Sequence, residues 1–474
     1  MMSENFSKFY INGAWVEPQS ADRNPVTNPT SGEVIASTAR ATTEEVDQAV
    51  QAAKAALPAF AALSVAERIA LLERFRDEFQ KRVAEAGELI SAEVGSPLSL
   101  SVNVQAPLGV WHIGDAIEAL KNLELEEHRG NGLIVRDPIG VVGMITPWNW
   151  PVHQIMSKLA FALAAGCTSI LKPSEAAPLN ATLVFEAAHA AGIPAGVVNL
   201  LNGRGSSVGE ALAKHPDVDM ISITGSTYAG GRVAELAAPS IKRVSQELGG
   251  KSANIILDDA VFAESVKTGV LRAFSNNGQS CDAPTRMLIP AHRVDEATAL
   301  IQEAIEQIKV GPANDATTEL GPVISQEQFD SIQGYISKGI EEGATLIAGG
   351  LGSAEGTATG WLVKPTAFVN VLSKMTISQE EIFGPVLSVL SYADHDEAVA
   401  IANDSPYGLA AYVSGEDQDV ALAIARRLEA GQVKINYAMA SNLPFGGYKQ
   451  SGNGRELGLE GLAEFFETKA IITG

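Results

Sequence analysis

The spacing of apolar residues near the amino end predicts helices. From Thr42 onward, valine and alanine recur at helical spacing, and Thr42 and Glu45 stand at the spacing of a capping box. Ser64 and Glu67 repeat that spacing before a second amphipathic pattern, which continues until Gly95. We therefore expect two helices in this part of the chain, and we expect them to serve as scaffold.

From Gly140 the pattern changes to short apolar runs separated by helical stretches, which favours strands alternating with helices. Such a series forms a parallel sheet covered by helices. Ligands of these sheets bind beyond the carboxyl ends of the strands, where Lys172, Gly203 and Gly225 stand. The apolar runs that predict strands lie at 141–145, 169–171, 197–200 and 220–223.

The segment 124–136 has a different pattern, which predicts a β-hairpin. Its two arms, 124–128 and 133–136, flank the dipeptide Asn131-Gly132, and Asn-Gly is a strong hairpin-turn signal. From Gly250 onward strands and helices alternate again. This part of the chain therefore predicts a second α/β domain.

Composition and charge exclude several classes of protein. Of the 474 residues, 46% are hydrophobic and 19% are charged, so the chain can bury a large core. The 34 basic and 56 acidic residues give a net charge of −22, which repels phosphate backbones and disfavours nucleic acid as a partner. No apolar run approaches the roughly 20 residues of a membrane helix. The amino end also lacks a secretory signal, so we expect a cytoplasmic protein without a membrane partner.

The two cysteines differ in their surroundings. Neither has a second Cys or His at metal-ligand spacing, so we expect no metal and no disulfide framework. Cys167 stands between small residues and an apolar strand, which fits a buried filler residue. Cys281 follows the polar segment 277–280, where an accessible thiol that ionises could be a nucleophile. The residues alone leave both interpretations of Cys281 open.

Three further residues suit catalysis or cofactor binding. Glu247, beside two glycines, can act as a base if burial raises its pKa. Asn149, between two tryptophans, can donate its side-chain amide to an oxyanion. Ser226 stands at the start of a helix that follows a strand, where backbone N–H groups can bind a pyrophosphate. Each also has a structural explanation, namely a solvated loop acid, a helix cap and a tight turn.

Together these segments resemble the aldehyde dehydrogenase superfamily over nearly the whole chain. Each motif alone is weak evidence for the family, but the presence of so many motifs in the family's order is specific for it. The motifs are Pro147-Trp148-Asn149-Trp150-Pro151, Lys172-Pro173-Ser174-Glu175, Thr224-Gly225-Ser226-Thr227, Glu247-Leu248-Gly249-Gly250-Lys251, Gly278-Gln279-Ser280-Cys281, Glu380-Glu381-Ile382-Phe383-Gly384-Pro385 and Pro444-Phe445-Gly446-Gly447-Tyr448-Lys449-Gln450-Ser451-Gly452.

The resemblance implies an α/β fold with three parts. These are a Rossmann-like parallel-sheet cofactor domain, an α/β catalytic domain and a β-hairpin bridging element that joins subunits. The expected NAD-binding domain is 1–119 with 139–248, the catalytic domain is 249–450, and the bridging element is 120–138 with 451–474. A homodimer or homotetramer follows as an expectation.

The resemblance also implies NAD(P)-dependent oxidation of a small-molecule aldehyde to a carboxylic acid. Cys281 would attack the aldehyde, and Asn149 with the backbone N–H of Cys281 would hold the oxyanion. After hydride transfer, Glu247 would activate the water that hydrolyses the thioester. NAD is favoured over NADP because Glu175 would accept bonds from free ribose hydroxyls and repel a 2′-phosphate, although Lys172 nearby leaves NADP use open.

Further residues are assigned to two sites by the resemblance. Asp282 follows the expected nucleophile, where it would either raise the pKa of the thiol or, as we expect, face the pocket and disfavour acidic substrates. The expected cofactor-binding residues are Thr146, Pro147, Trp148, Lys172, Ser174, Glu175, Gly205, Gly225, Ser226, Leu248, Gly249, Glu381 and Phe383. The expected pocket lining is Trp150, Met156, Ser280, Asp282, Met439 and Phe445.

Three alternative functions are weighed against this one. A CoA-acylating semialdehyde dehydrogenase uses CoA in place of water and has less need of a base such as Glu247. A catalytically silent ligand-binding relative is disfavoured because Asn149, Glu247 and Cys281 are all present. A Cys–His hydrolase needs a base such as His153 beside Cys281, and nothing in the sequence places it there.

Overall fold

A computed structural model describes residues 3–473. The strands are β1 (Phe9–Ile11), β2 (Ala14–Val16), β3 (Arg23–Thr27), β4 (Val34–Ala39), β5 (Glu126–Arg129), β6 (Gly132–Pro138), β7 (Val141–Ile145), β8 (Thr168–Lys172), β9 (Val198–Leu200), β10 (Met220–Thr224), β11 (Arg243–Glu247), β12 (Ala253–Ile256), β13 (Arg286–Pro290), β14 (Thr345–Ala348), β15 (Thr366–Val369), β16 (Val386–Tyr392), β17 (Tyr407–Gly408), β18 (Ala410–Ser414), β19 (Gln432–Ile435), β20 (Tyr448–Lys449) and β21 (Phe466–Ile472).

The α-helices are α1 (Thr43–Ala61), α2 (Val65–Gln80), α3 (Val83–Val94), α4 (Leu98–Leu100), α5 (Ala106–Asn122), α6 (Pro151–Ala165), α7 (Leu179–Ala190), α8 (Glu210–Lys214), α9 (Thr227–Ala237), α10 (Phe262–Phe274), α11 (Val294–Glu306), α12 (Gln326–Glu341), α13 (Thr376–Gln379), α14 (His395–Asn403), α15 (Gln418–Ala425) and α16 (Gly458–Ala463). Within residues 3–473, no helix has both the length and the apolar character that crossing a bilayer requires.

The predicted capping boxes are present at both amino-terminal helices. The side chain of Thr42 accepts from the backbone of Glu45 while the Glu45 side chain accepts in return, and Ser64 and Glu67 do the same. The second apolar pattern forms two helices, α2 and α3, because the chain turns at 81–82. Apolar spacing continues across this turn and therefore does not reveal it.

The first sheet has seven strands in the order β11-β10-β7-β8-β9-β1-β2. The five strands from β11 to β9 are parallel, and β1 and β2 add an antiparallel edge. The four strands predicted between residues 141 and 223 are confirmed as β7 to β10. The strand order reverses at β7, which lies between β8 and β10. Ligands bind at such a switch point, so the loops after β7 and β10 frame the expected cofactor crevice.

The second sheet confirms the predicted second α/β unit. Its order is β14-β15-β16-β13-β12-β18-β19, and all of its neighbouring pairs are parallel except β14 with β15. Helices cover both faces, with α10 and α11 packed in one buried cluster and α12, α14 and α15 in another. The segment that ends at Cys281 enters this sheet through β13, which places the expected nucleophile between the two sheets.

The predicted hairpin is confirmed, with its turn one residue earlier than expected. Arg129 pairs with Gly132, so the two turn residues are Gly130 and Asn131. Gly130 has a φ of 63°, a backbone conformation that favours glycine. The carboxyl-terminal strand β21 pairs with β6 of the same chain, giving a three-stranded sheet in the order β21-β6-β5. The role of this sheet in joining subunits and the domain boundaries stay predictions.

Candidate active site

Two loops meet at the expected catalytic centre. One loop follows β7 and carries Asn149, and the other precedes β13 and carries Cys281. Asn149 Nδ2 donates to the backbone oxygen of Gln279 at 3.0 Å, and Trp150 Nε1 donates to Ser280 Oγ at 2.8 Å. These bonds bring the expected oxyanion donor and the expected nucleophile into one site.

The nucleophile loop is fixed by two asparagines in strained backbone conformations. Asn276 and Asn277 have φ values of 53° and 60°, in the left-handed region that L side chains rarely adopt. Asn276 Nδ2 donates to the backbone oxygen of Asn149 at 2.9 Å, and Asn277 Nδ2 donates to that of Gly95 at 2.9 Å. Buried hydrogen bonds therefore hold a conformation that the backbone alone disfavours.

Glu247 is a buried carboxyl group at the end of β11. Its side chain is 2% exposed, and neither carboxyl oxygen has a hydrogen-bond partner among residues 3–473. Burial first, and then the charge of Glu456, raise its pKa well above the ordinary value, although Lys158 opposes this. Three residues later, a Cβ on Gly250 would lie 2.3 Å from the backbone oxygen of Cys281. The segment that follows β11 therefore packs directly against the nucleophile loop.

Cys281 is a partly accessible thiol whose pKa lies well above its ordinary value. Burial is the main cause, and the negative charges of Asp282, Glu381 and Glu247 add to it. Attack on a carbonyl needs the thiolate, so a proton must leave this thiol before or during the reaction. Cys167, in contrast, is fully buried in the core, as expected of a filler residue.

A buried ion pair beside Glu247 has no counterpart in the sequence analysis. Lys158 on α6 pairs with Glu456 and also donates to Thr224 Oγ1 at 2.7 Å, at the end of β10. Ser157 Oγ donates to the same carboxylate at 2.8 Å. Lys158 and Glu456 are 298 positions apart, and no motif marks either residue. Only the fold brings this pair to the site.

The expected cofactor residues lie at the carboxyl ends of the parallel strands. Ser226 caps α9, and its Oγ accepts from the backbone of Ala229 at 3.2 Å. The rings of Trp148 and Phe383 meet edge to face with their centroids 5.3 Å apart. The other placements are as follows: Thr146 and Pro147 follow β7, Ser174 follows β8, Gly205 begins a π-helical turn, Gly225 follows β10, and Leu248 is buried against Gly230 of α9.

Glu381 reaches the glycines that follow Glu247. Its Oε1 accepts from the backbone N–H of Gly250 at 3.1 Å, and burial raises its pKa to about 7. A Cβ on Gly249 would lie only 2.4 Å from Glu381 Oε2, so this close approach requires glycine. The structure thus places Glu381 beside Gly249, both of which the sequence assigns to cofactor binding.

The expected ribose-binding residues have unexpected partners. Lys172 Nζ donates to the backbone oxygens of Pro173 at 2.6 Å and Gly203 at 3.2 Å, and burial lowers its pKa to about 8. Glu175 accepts from Arg40 Nε at 2.8 Å. Arg40 follows β4 and was absent from the sequence-based assignment. Its charge offsets that of Glu175, on which the expected preference for NAD depends.

A pocket of about 900 Å³ opens at Cys281. Four of the six expected lining residues form part of its wall, namely Trp150, Asp282, Met439 and Phe445. The expectation for Met156 is wrong: this side chain is fully buried in the hydrophobic core, because almost every residue of α6 is enclosed by its neighbours. Ser280 lies beside the pocket and accepts the indole N–H of Trp150.

Asp282 faces the pocket, as expected, but its charge is neutralised. Lys434 Nζ on β19 lies 3.0 Å from Asp282 Oδ2, and the Tyr412 hydroxyl donates to the same oxygen at 3.1 Å. Burial would raise the pKa of Asp282, but Lys434 and Tyr412 together hold it below the ordinary value. The expected rejection of acidic substrates therefore loses its main cause.

Comparison with known proteins settles the family. Residues 15–471 match the model of the aldehyde dehydrogenase family. The chain belongs to the aldehyde dehydrogenase family. A relative in Staphylococcus aureus strain MSSA476, which carries a provisional aldehyde dehydrogenase name, is 48% identical over 468 residues, or 98% of each chain.

Solved aldehyde dehydrogenases share the whole fold. Aldehyde dehydrogenase C of Pseudomonas syringae, solved as a cysteine-to-alanine mutant with NAD⁺ and octanal, has 47% identity and a TM-score of 0.98, covering 100% of this chain and 98% of that chain. The Mycobacterium tuberculosis aldehyde dehydrogenase in complex with NAD⁺ has 38% identity and a TM-score of 0.96, covering 99% and 98%. The expected superfamily and fold class are confirmed.

In this aldehyde dehydrogenase, the side chain that His153 bonds is that of His112. His153 Nδ1 lies 2.6 Å from His112 Nε2, and both rings line the pocket. From the sequence, His153 was considered only as a hydrolase base, and His112 was not recognised. Neither residue lies in a family motif, so the one available signal was their placement on helical segments before and after the Asn149 loop.

Proposed function

We propose that this protein oxidises an aldehyde to a carboxylic acid, with NAD as the hydride acceptor. The main support for the proposal is that three chain segments converge on one site. The loops of Asn149 and Cys281 are joined by hydrogen bonds, and Gly250, three residues after Glu247, packs against the Cys281 backbone. The charge of Glu247 also acts on the Cys281 thiol. Acyl chemistry on an aldehyde requires a nucleophile, an oxyanion donor and a base in one site.

The first step is attack by the Cys281 sulfur on the aldehyde carbon. The thiol proton passes to water, a carbon–sulfur bond forms, and the carbonyl electron pair moves to oxygen. The Asn149 amide has two N–H donors, of which one is bonded to Gln279, so the second can donate to the oxyanion. The backbone N–H of Cys281 supplies another donor.

The crevice at the end of β7 fits a dinucleotide. Thr146 Oγ1 is buried there without a hydrogen-bond partner among the described residues, and α9 begins with backbone N–H groups suited to a pyrophosphate. By the family resemblance, Glu381 and Phe383 would contact the nicotinamide ribose, and Lys172 with Glu175 would bind the other ribose. When bound, NAD accepts the hydride that leaves the tetrahedral carbon.

The last step is hydrolysis of the thioester on Cys281. Glu247 takes a proton from water, the resulting hydroxide attacks the acyl carbon, and the Cys281 thiolate leaves with the carbon–sulfur bonding pair. A raised pKa makes Glu247 a stronger proton acceptor than an ordinary carboxylate once it is ionised. Lys158 and Glu456 add charges of opposite sign beside it.

We propose that NAD is preferred but that NADP is also used. A free carboxylate at Glu175 would repel a 2′-phosphate, whereas Arg40 at 2.8 Å offsets that charge. Lys172, at the end of β8 and three residues before Glu175, adds a further positive group. The two residues support dual cofactor use with a modest preference.

The substrate we propose is an aldehyde with a substantial hydrocarbon chain. The pocket volume of about 900 Å³ lies near the upper end of the roughly 300–1,000 Å³ range of small-molecule sites. Leu108, Trp111, Val433, Leu443 and Phe445 make much of its surface apolar. The octanal bound by the Pseudomonas syringae relative supports this class.

We also propose a homodimer or homotetramer assembled through the sheet of β5, β6 and β21. Six of the seven residues of β21 are exposed, so the strand presents its backbone edge to a second copy. An open strand edge can add another strand, and covering it avoids uncontrolled association. A monomer in analytical ultracentrifugation would contradict this assembly.

NADH formation from a panel of aliphatic, aromatic and semialdehyde substrates tests the proposed reaction. We expect turnover without CoA in the wild type and none in Cys281→Ala. Turnover that requires CoA would favour the CoA-acylating alternative. If no aldehyde is oxidised while NAD still binds, the result would favour the catalytically silent ligand-binding protein.

A further inference from the structure

One part of the pocket wall is a continuous strip of polar side chains. We call His112, Asp115, His153, Asp282 and Lys434 the polar strip, and all five line the pocket. Asp115 Oδ2 lies 3.7 Å from His112 Nδ1, and His112 Nε2 lies 2.6 Å from His153 Nδ1. Asp282 and Lys434 both act electrostatically on His153 and pair with each other at 3.0 Å. The strip therefore runs from the residue after the nucleophile to the helix α5.

The two histidines form a unit that can donate or accept a hydrogen bond. Their contact at 2.6 Å places one N–H between the rings, which leaves His112 Nδ1 and His153 Nε2 as the outer atoms. His112 Nδ1 is buried without a hydrogen-bond partner among the described residues. If the shared proton is on His112, His153 Nε2 carries a proton and donates. If it is on His153, His112 Nδ1–H faces Asp115 and His153 Nε2 accepts.

The charges along the strip favour a neutral ligand group. Lys434 cancels the charge of Asp282, and burial together with the nearby cations holds the pKa of His153 well below its ordinary value, so that ring is neutral. The Asp115 carboxylate opposes an anionic group, and it faces His112 Nδ1, so both rings separate it from a cationic group at His153 Nε2. A neutral group that can both donate and accept matches the histidine pair best.

We propose that the polar strip binds a hydroxyl group of the substrate, so that preferred substrates are aldehydes whose hydrocarbon chain also carries a hydroxyl. The inference rests on the proposed oxidation of aldehydes and names the substrate class of that site. The apolar surface around Leu443 and Phe445 contacts the chain, and His153 Nε2 bonds the hydroxyl in either proton arrangement.

Paired substrates test the proposal on the wild-type enzyme. Hydroxyalkanals of graded chain length are compared with alkanals of the same length through kcat/KM. At the best length we expect the hydroxyl to raise kcat/KM roughly 5-fold, the effect of one net neutral hydrogen bond. Equal values at every length would overturn the proposal. A larger gain from an ω-ammonium group than from the hydroxyl would also overturn it.

Two substitutions of His153 separate hydrogen bonding from shape. His153→Phe should abolish the advantage of the hydroxyl, whereas His153→Gln, which keeps a donor and an acceptor, should retain part of it. Leu443→Ala is the matched control on the apolar surface, and it should lower kcat/KM for both members of a pair equally. An advantage that persists unchanged in His153→Phe would overturn the assignment, and cofactor binding checks that each variant is folded.

A binding measurement distinguishes failure of this subsite from failure of the proposed reaction. Alkanols and the corresponding diols bind without reacting at the thiol, so their stabilisation of the wild type against heating reports the pocket alone. We expect the diol of the best length to stabilise the protein more than the alkanol. Equal stabilisation would overturn the subsite even if aldehydes are oxidised. Stronger stabilisation by the diol would support it even if no aldehyde is oxidised.

Discussion

The proposed cofactor crevice and the proposed substrate pocket are built in different ways. The crevice is formed by segments that directly follow parallel strands, such as 146–148 after β7 and Ser226 after β10. The pocket takes its wall from α5, α6, the Cys281 loop, β19 and the loop 438–445. The topology of the sheet determines the arrangement of the crevice, whereas the arrangement of the pocket depends on how elements distant in sequence pack together. We therefore expect substitutions to alter the substrate specificity more readily than the reaction itself.

The largest effect is expected from Cys281→Ala. Removing the nucleophile should lower kcat by at least about 10⁴-fold, because the thiohemiacetal can no longer form. Cys167→Ala is the matched control, since that thiol is buried in the core and should leave kcat nearly unchanged. NADH formation measures both variants. Substantial turnover by Cys281→Ala would show that Cys281 is not the nucleophile.

Glu247→Gln should slow the hydrolytic half of the reaction. Loss of a general base costs roughly 10²–10⁴-fold. Because hydride transfer precedes hydrolysis, the variant should still form up to one NADH per site in a rapid burst followed by slow turnover. Stopped-flow absorbance resolves the two phases. A burst that disappears together with turnover would assign Glu247 to the first half of the reaction.

Asn149→Ala should remove one donor to the oxyanion. The expected loss in kcat is about 10²–10³-fold, with little change in cofactor affinity. Asn276→Ala tests the support of this group, because Asn276 bonds the Asn149 backbone at 2.9 Å. We expect a smaller loss from Asn276→Ala than from Asn149→Ala, and the reverse order would contradict the assigned roles.

The pH dependence of turnover should follow the raised pKa values of Cys281 and Glu247. Both groups act in their ionised forms, and both pKa values lie well above the ordinary ones. Activity should therefore rise with pH through and beyond neutrality and fall as the pH is lowered. A profile of kcat/KM with saturating NAD measures this. Activity already at its maximum in mildly acidic solution would contradict the raised pKa values.

The smallest effect concerns the cofactor crevice, where Arg40→Ala should sharpen the preference for NAD. Without the guanidinium, the Glu175 carboxylate repels a 2′-phosphate more strongly, so kcat/KM with NADP should fall several-fold while that with NAD changes little. Glu175→Gln should shift the ratio in the opposite direction. If each substitution changes kcat/KM equally with NAD and NADP, neither Arg40 nor Glu175 determines the choice of cofactor.

The comparison also explains which features could be predicted from the sequence. Strand periodicity predicted β7 to β10, which frame the proposed crevice, and short motifs allowed Asn149, Glu247 and Cys281 to be proposed for catalysis. The side-chain partners within the pocket could not be predicted in this way. Lys434 lies 152 positions from Asp282, and only the parallel pairing of β18 with β19 brings Lys434 to the pocket.

Other errors have equally local causes. Met156 was misplaced because α6 is buried on nearly all sides, and an apolar residue on such a helix gives no sign of which neighbour it contacts. Arg40 lies 135 positions from Glu175, in a short strand connection without a motif. The hairpin turn moved by one residue because Gly130 adopts the positive φ that the Asn-Gly signal assigned to its neighbours.

The mass of the acylated enzyme shows whether a thioester forms on Cys281. Glu247→Gln is mixed with an aldehyde and NAD, quenched in acid during the slow phase, and analysed by intact and peptide mass spectrometry. We expect one acyl group per chain, located on the peptide that contains Cys281, and none on the peptide that contains Cys167. NADH formation without any acyl group on Cys281 would contradict the proposed thioester.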